Sequence, residues 1–173
     1  MHRKISKSVY IIVAILALIT TYSCGDGDIG NYAPVIGLEG VDIVKRQDGL
    51  DSLLLIHFWY EDKDGDLGLS DSDTTDQFRG FNNLEVNFQE KRNGVYEPLL
   101  IKGTSVPADF DQRIPNLTPT GKNKEISGSI TISFSVDPNE LHADTVEFDL
   151  KIIDRSFNES NIIGKSNVAL QQQ

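Results

Sequence analysis

From Glu61 to Asp76 the chain sets seven carboxylates (Glu61, Asp62, Asp64, Asp66, Asp71, Asp73 and Asp76) against one cation, Lys63. Like charges at that density repel one another unless something neutralises them. The first three aspartates alternate, Asp62, Asp64 and Asp66, with Gly65 between the last two and Gly68 just beyond. Alternating carboxylates in a glycine-containing loop can turn several oxygens inward, and calcium takes about six to eight of them. Calcium is therefore the expected cofactor, with Asp62, Asp64 and Asp66 among its ligands. A solvated acidic loop that holds no ion is the competing reading. The loop is not an EF-hand. Asp73 falls at the twelfth position counted from Asp62, but the glycines are Gly65 and Gly68 rather than the sixth residue, and no helical period flanks the segment.

Other residues offer less chemistry. His57 stands beside Trp59 in an apolar run, where packing or an edge position is expected rather than catalysis, and His142 has no partner in sequence. There is no Gly-x-Ser-x-Gly, phosphate loop or His-x-x-x-His. Acids are plentiful enough for a glycosidase pair, yet they cluster in a loop that reads as a cation site, so no enzyme is expected. Phe58, Trp59, Tyr60, Phe78 and Phe81 suit either core packing or an aromatic sugar platform. The single cysteine excludes a disulfide scaffold and a Cys-rich zinc site. A net charge of -10 argues against nucleic acid as a partner.

The acidic loop must be carried by β-strands. Period-2 alternation recurs after Cys24 and no helical period is sustained. Ile126, Gly128, Ile130, Ile132, Phe134 and Val136 alternate with Ser and Thr. Val146, Phe148, Leu150 and Ile152 alternate with charged residues, as do Leu84, Val86 and Phe88 with polar ones. Each pattern gives one buried and one wet face, as in antiparallel sheets. Leu53–Tyr60 is apolar on both faces and reads as a central strand. Val35–Val44 is a weaker first strand and Ile162–Leu170 a last one. Asn93-Gly94 predicts a hairpin, because both residues accept positive φ. An irregular crossing is expected from Ile101 to Lys124, and Pro138–Leu141 suits one helical turn. The fold class is all-β: a single immunoglobulin-like antiparallel β-sandwich of about seven strands over residues 34–170, with a small barrel or jelly roll as the alternative. Residues 171–173 form a polar tail.

Residues 1–23 differ from the rest. His2, Arg3, Lys4 and Lys7 precede an apolar run of 11 residues, Val9–Ile19, which is too short to span a bilayer and has the order of a signal peptide. Thr21-Tyr22-Ser23-Cys24 resembles a bacterial lipoprotein box, although Thr21 replaces the usual Leu. That resemblance implies lipidation of Cys24 and a membrane partner through it, with residues 24–33 as a tether. Gly25-Asp26-Gly27-Asp28 resembles the acidic export signal of Bacteroidota lipoproteins, which implies the outer membrane and its outer face. Loss of residues 1–23 would remove Arg3, Lys4 and Lys7 and no acid, taking the net charge from -10 to -13.

Two loops carry a further resemblance. Asp64-Gly65-Asp66-Leu67-Gly68 and Asp154-Arg155-Ser156-Phe157-Asn158-Glu159-Ser160 are similar to the DGDxG-type and Asp-Arg-x-x-Asn-x-Ser loops of immunoglobulin-like domains in Bacteroidota surface lipoproteins. In such a sandwich the loops after the second and sixth strands share one end. Asp154 or Asn158 is therefore expected to complete the site begun by Asp62, Asp64 and Asp66. Ser52, Thr74 and Thr145 sit in patterns resembling Bacteroidota O-glycosylation acceptors. The expected function is a non-enzymatic binding or adhesion module for glycan or protein at the cell surface. The alternative is an accessory subunit of an envelope uptake or secretion complex. The anchor is directly testable: Cys24→Ala should leave the precursor unlipidated and release any processed product from the membrane fraction, and detergent partitioning would register the change.

Overall fold

The computed structural model describes residues 32–119, 125–137 and 143–171. The expected signal sequence, Cys24 and nearly all of the expected tether lie outside the described residues, as do the expected turn at Pro138–Leu141 and the end of the tail. The sandwich unit begins at Tyr32. Its strands are β1 (Val35–Lys45), β2 (Asp51–Asp62), β3 (Leu84–Arg92), β4 (Val95–Pro98), β5 (Ile126–Ser135), β6 (Thr145–Ile152) and β7 (Ile163–Ala169). A 3-10 turn at Asp76–Phe78 is the only helical element among the described residues. Every strand pair is antiparallel, in sheets of order β1-β2-β5 and β4-β3-β6-β7. Lettered as an immunoglobulin sandwich, these are A-B-E against C′-C-F-G. The expected all-β sandwich of about seven strands is the observed one.

The alternation seen in the sequence is the pleat of these strands. Leu54, Ile56 and Phe58 of β2 point inward and are fully buried. They lie opposite Phe134, Ile132 and Ile130 of β5. Leu84, Val86 and Phe88 of β3 pair with Ile152, Leu150 and Phe148 of β6, and all six are core residues. Phe88, Phe134 and Phe148 close on one another with Phe110, at ring separations of 4.6–5.8 Å. Asn93 and Gly94 both take positive φ (51° and 85°) and join β3 to β4 as expected.

The long crossing after β4 is more than a connector. Leu99 and Ile114 are core residues within it, and its backbone bonds Leu84 through Gln112 and Leu67 through Leu117. It joins β3 and the acidic loop through isolated bridges, Leu84 to Gln112 and Leu69 to Pro115, instead of a full strand. The aromatic cluster sets the stability test. Phe134 is 2% exposed, so Phe134→Ala should cost about 3–5 kcal/mol. Its exposed neighbour Ser133 should tolerate Ala within ~0.5 kcal/mol. Chemical denaturation of the two variants measures both.

Candidate metal centre

The inward register of β2 does not stop at the last apolar residue. Leu54, Ile56, Phe58 and Tyr60 are followed two residues on by Asp62, which is 0% exposed at the end of the strand. The chain then turns. Gly65 at φ 68° and Gly68 at φ 93° adopt the left-handed region that glycine enters without strain. A Cβ at Gly68 would collide with the backbone of Pro115, so the acidic loop is pressed against the crossing. This path returns Asp64 and Asp66 to Asp62, and one carboxylate oxygen from each lies within 4.8 Å of the others.

Four oxygens in this cluster are buried and have no hydrogen-bond donor: both of Asp62, Oδ1 of Asp64 and Oδ1 of Asp66. A buried acceptor without a donor forfeits the water it left. For Asp62 burial is the largest effect. A hydrogen bond to Asp64, available only while one of the two holds a proton, and the charges of Asp64, Asp66 and Asp154 add to it. Together they push the pKa of Asp62 up to about 7.

The loop after β6 reaches the same end. Arg155 N–H donates to the Asp66 carbonyl (3.3 Å) and Ser156 Oγ to Asp66 Oδ2 (2.7 Å). Asp154 is 1% exposed, and its two oxygens accept from Asn158, Oδ1 from the backbone N–H and Oδ2 from Nδ2, each at 2.8 Å. Burial raises the Asp154 pKa; the Asn158 bonds lower it, and the charges of Asp66 and Asp64 raise it again. Asp154 thus adds charge to the cluster with its oxygens already engaged, and Asn158 holds Asp154. Among the described residues, the acids, histidines and cysteines that form the close group are Asp62, Asp64 and Asp66.

A clamp outside this group joins the two loops. Arg155 forks onto Asp73, Nη1 to Oδ2 at 2.5 Å and Nη2 to Oδ1 at 3.1 Å. That contact, followed by the Ser70 N–H and hydroxyl, holds the Asp73 carboxyl well below the usual range. Arg113 donates to the carbonyls of Ser70, Asp73 and Phe78 and fixes the same turn. These arginines were not assigned a role from sequence, although Arg155 stands next to Asp154 in the quoted motif. Phe78 lies under Arg155 and stacks on Phe157, with Phe81 against the same ring. Phe58 is core, Tyr60 half-buried and Trp59 exposed, so these aromatics form no single platform. Of the glycosylation candidates, Thr74 is exposed, whereas Ser52 and Thr145 are half-buried in strands.

Comparisons with protein-family models, curated proteins and solved structures give no match. The donor set is all oxygen, with no histidine or cysteine in the cluster, and this selects a hard cation such as calcium over zinc or copper. Four open carboxylate oxygens leave the balance of a calcium shell to carbonyls or water.

The Asp62 environment fixes a pH dependence. A raised pKa means that the folded state keeps a proton the unfolded chain releases near 3.8. Stability of the metal-free protein should therefore fall as pH rises from about 4 to about 7. Asp62→Asn should shrink that fall and leave the smaller part that the raised Asp154 contributes, and denaturation at pH 5 and pH 8 in chelator measures it.

Proposed function

We propose that the protein is a calcium-stabilised β-sandwich that binds glycan or protein, held at the outer membrane by a lipid on Cys24. The observation that carries the calcium site is Asp62: a fully buried carboxylate whose two oxygens face two other carboxylates and meet no donor. A divalent cation answers all four open oxygens at once. Its position also favours binding over hydrolysis. Asp62 is sealed from solvent and cannot reach a glycosidic bond, and Asp154 is engaged with Asn158. The binding role follows from the anchor motif, the acidic surface and a sandwich whose loops gather at one end. The basic start, the Val9–Ile19 apolar run and the resemblance of Thr21–Cys24 to a lipoprotein box support an envelope location.

Extracellular modules bind calcium with dissociation constants of about 0.1–1 mM. At about 1 mM calcium the ion should add roughly 0.4–1.4 kcal/mol of stability. For a domain of this size that is about 1–6 °C in melting temperature. Magnesium should do less, since it gives up its waters reluctantly. Asp64→Asn should shrink the response by deleting a ligand. Asp154→Asn should reduce it less, because it removes charge near the ion while the open oxygens remain. Thermal melts from zero to ~10 mM calcium, with chelator controls, decide the matter; a curve that does not move removes the metal and its ligands from the reading.

A further inference from the structure

We propose that the outer face of the β1-β2-β5 sheet is a glycan platform, on which Trp59 carries a pyranose ring of a neutral sugar chain. The proposal rests on the binding-module reading above and names its ligand and its place. Trp59 is the only tryptophan of the chain, lies on the central strand of that sheet and is 39% exposed. Its indole lies over β1 because position 37 is glycine. A Cβ at Gly37 would run into Nε1, Cε2 and Cζ2 of the ring.

Polar groups are tied down on both sides of the ring. The β1 ladder shifts register between Leu38 and Gly40, a bulge centred on Glu39. Bulges re-aim side chains. Here Glu39 is carried across β2 to β5, where its Oε1 accepts from Ser129 Oγ at 2.9 Å. Ser129 is the residue paired with Trp59, so this carboxylate sits beside the indole. One step along β2, His57 bridges Asp42 of β1 (3.1 Å) and Thr131 of β5 (2.8 Å). Glu39 and Asp42 each use one oxygen in these ties and keep the other for a ligand. Ser127, Ser129 and Thr131 add an exposed row of hydroxyls.

This set matches a sugar. The C–H face of a pyranose is electropositive and meets the negative face of an indole. Paired hydroxyls of the ring donate to carboxylate and accept from hydroxyl, and both kinds of group flank Trp59. Charge narrows the class. The Trp59 row and its neighbours present Glu39, Asp42 and Glu61 and no lysine or arginine, so uronates, nucleic acids and anionic headgroups are repelled. A basic peptide would be attracted by charge alone, and the test includes it.

The test uses the emission of Trp59, which no other tryptophan obscures. The full chain is titrated with cellohexaose, laminarihexaose, xylohexaose, mannohexaose and chitohexaose, and separately with polygalacturonate and decalysine. At least one neutral oligomer should shift the emission saturably, and polygalacturonate should not. By calorimetry Trp59→Ala should weaken that binding about tenfold or more, with the melting temperature unchanged. Glu39→Gln should weaken it in the same direction, and Gly37→Ala should displace the indole and alter the emission of the free protein. Binding to no neutral oligomer, equal binding of polygalacturonate, binding of decalysine alone, or an unaffected Trp59→Ala variant would each overturn the platform. Calcium melts on the same samples keep the two readings apart. A calcium response without sugar binding defeats the platform alone, and sugar binding without a calcium response defeats the metal site alone.

Discussion

Everything at the loop end of this sandwich answers to one buried carboxylate. Four acids are buried among the described residues: Asp51, Asp62, Glu90 and Asp154. Three are met by donors of the chain. Asp51 faces Lys45 at 3.1 Å and accepts the Gln171 N–H at 2.5 Å, Glu90 pairs with Arg92, and Asp154 takes two bonds from Asn158. Asp62 faces only other acids. An isolated buried charge costs far more than a marginally stable domain can spare. Asp62 must either keep its proton or share a cation, and the raised pKa and the proposed metal are the two forms of that one constraint.

The surrounding loops are organised to hold acids together despite their repulsion. Gly65 and Gly68 let the chain double back, and Asp66 is stitched to the opposite loop through the Arg155 N–H and the Ser156 hydroxyl. The Arg155 fork on Asp73 neutralises one acid that stands outside the close group. The Arg155 guanidinium thus forks onto the peripheral Asp73 and reaches the close group through the charge of Asp66. Immunoglobulin topology is what allows this, because the β2–β3 and β6–β7 loops emerge side by side. Neither loop alone could fix Asp66 and Asp154 near each other.

Much of this was legible in the sequence, and the failures have physical causes. Strict alternation located β5 and β6 to within a residue or two and the start of β3, because one face of each is wet; β3 runs on to Arg92, past its last alternating apolar residue. Leu53–Tyr60 was recognised as central, yet its apolar residues on both faces concealed which set points inward. That ambiguity hid the burial of Asp62 and the exposure of Trp59 together. The bulge at Glu39 was invisible, since one inserted residue leaves no trace in composition while it redirects a side chain across two strands. The Asp154–Asn158 pair was legible as a motif, but the two bonds by which Asn158 holds Asp154 were not.

The inward carboxylate and the outward indole belong to one strand, and alternation makes them mutually dependent. Asp62 and Trp59 are three residues apart, so they must lie on opposite faces of the sheet. A one-residue slip of β2 would expose Asp62 and bury Trp59. Such a slip would also turn the fully buried Leu54, Ile56 and Phe58 to solvent, so the core holds the register whatever the acids cost. Asp62 closes the ladder opposite Ile126, one residue past the Glu61–Val35 pair, at the strand end where fraying begins. An ion on Asp62, Asp64 and Asp66 would fasten this strand end, while Leu54, Ile56 and Phe58 set the face on which Trp59 lies.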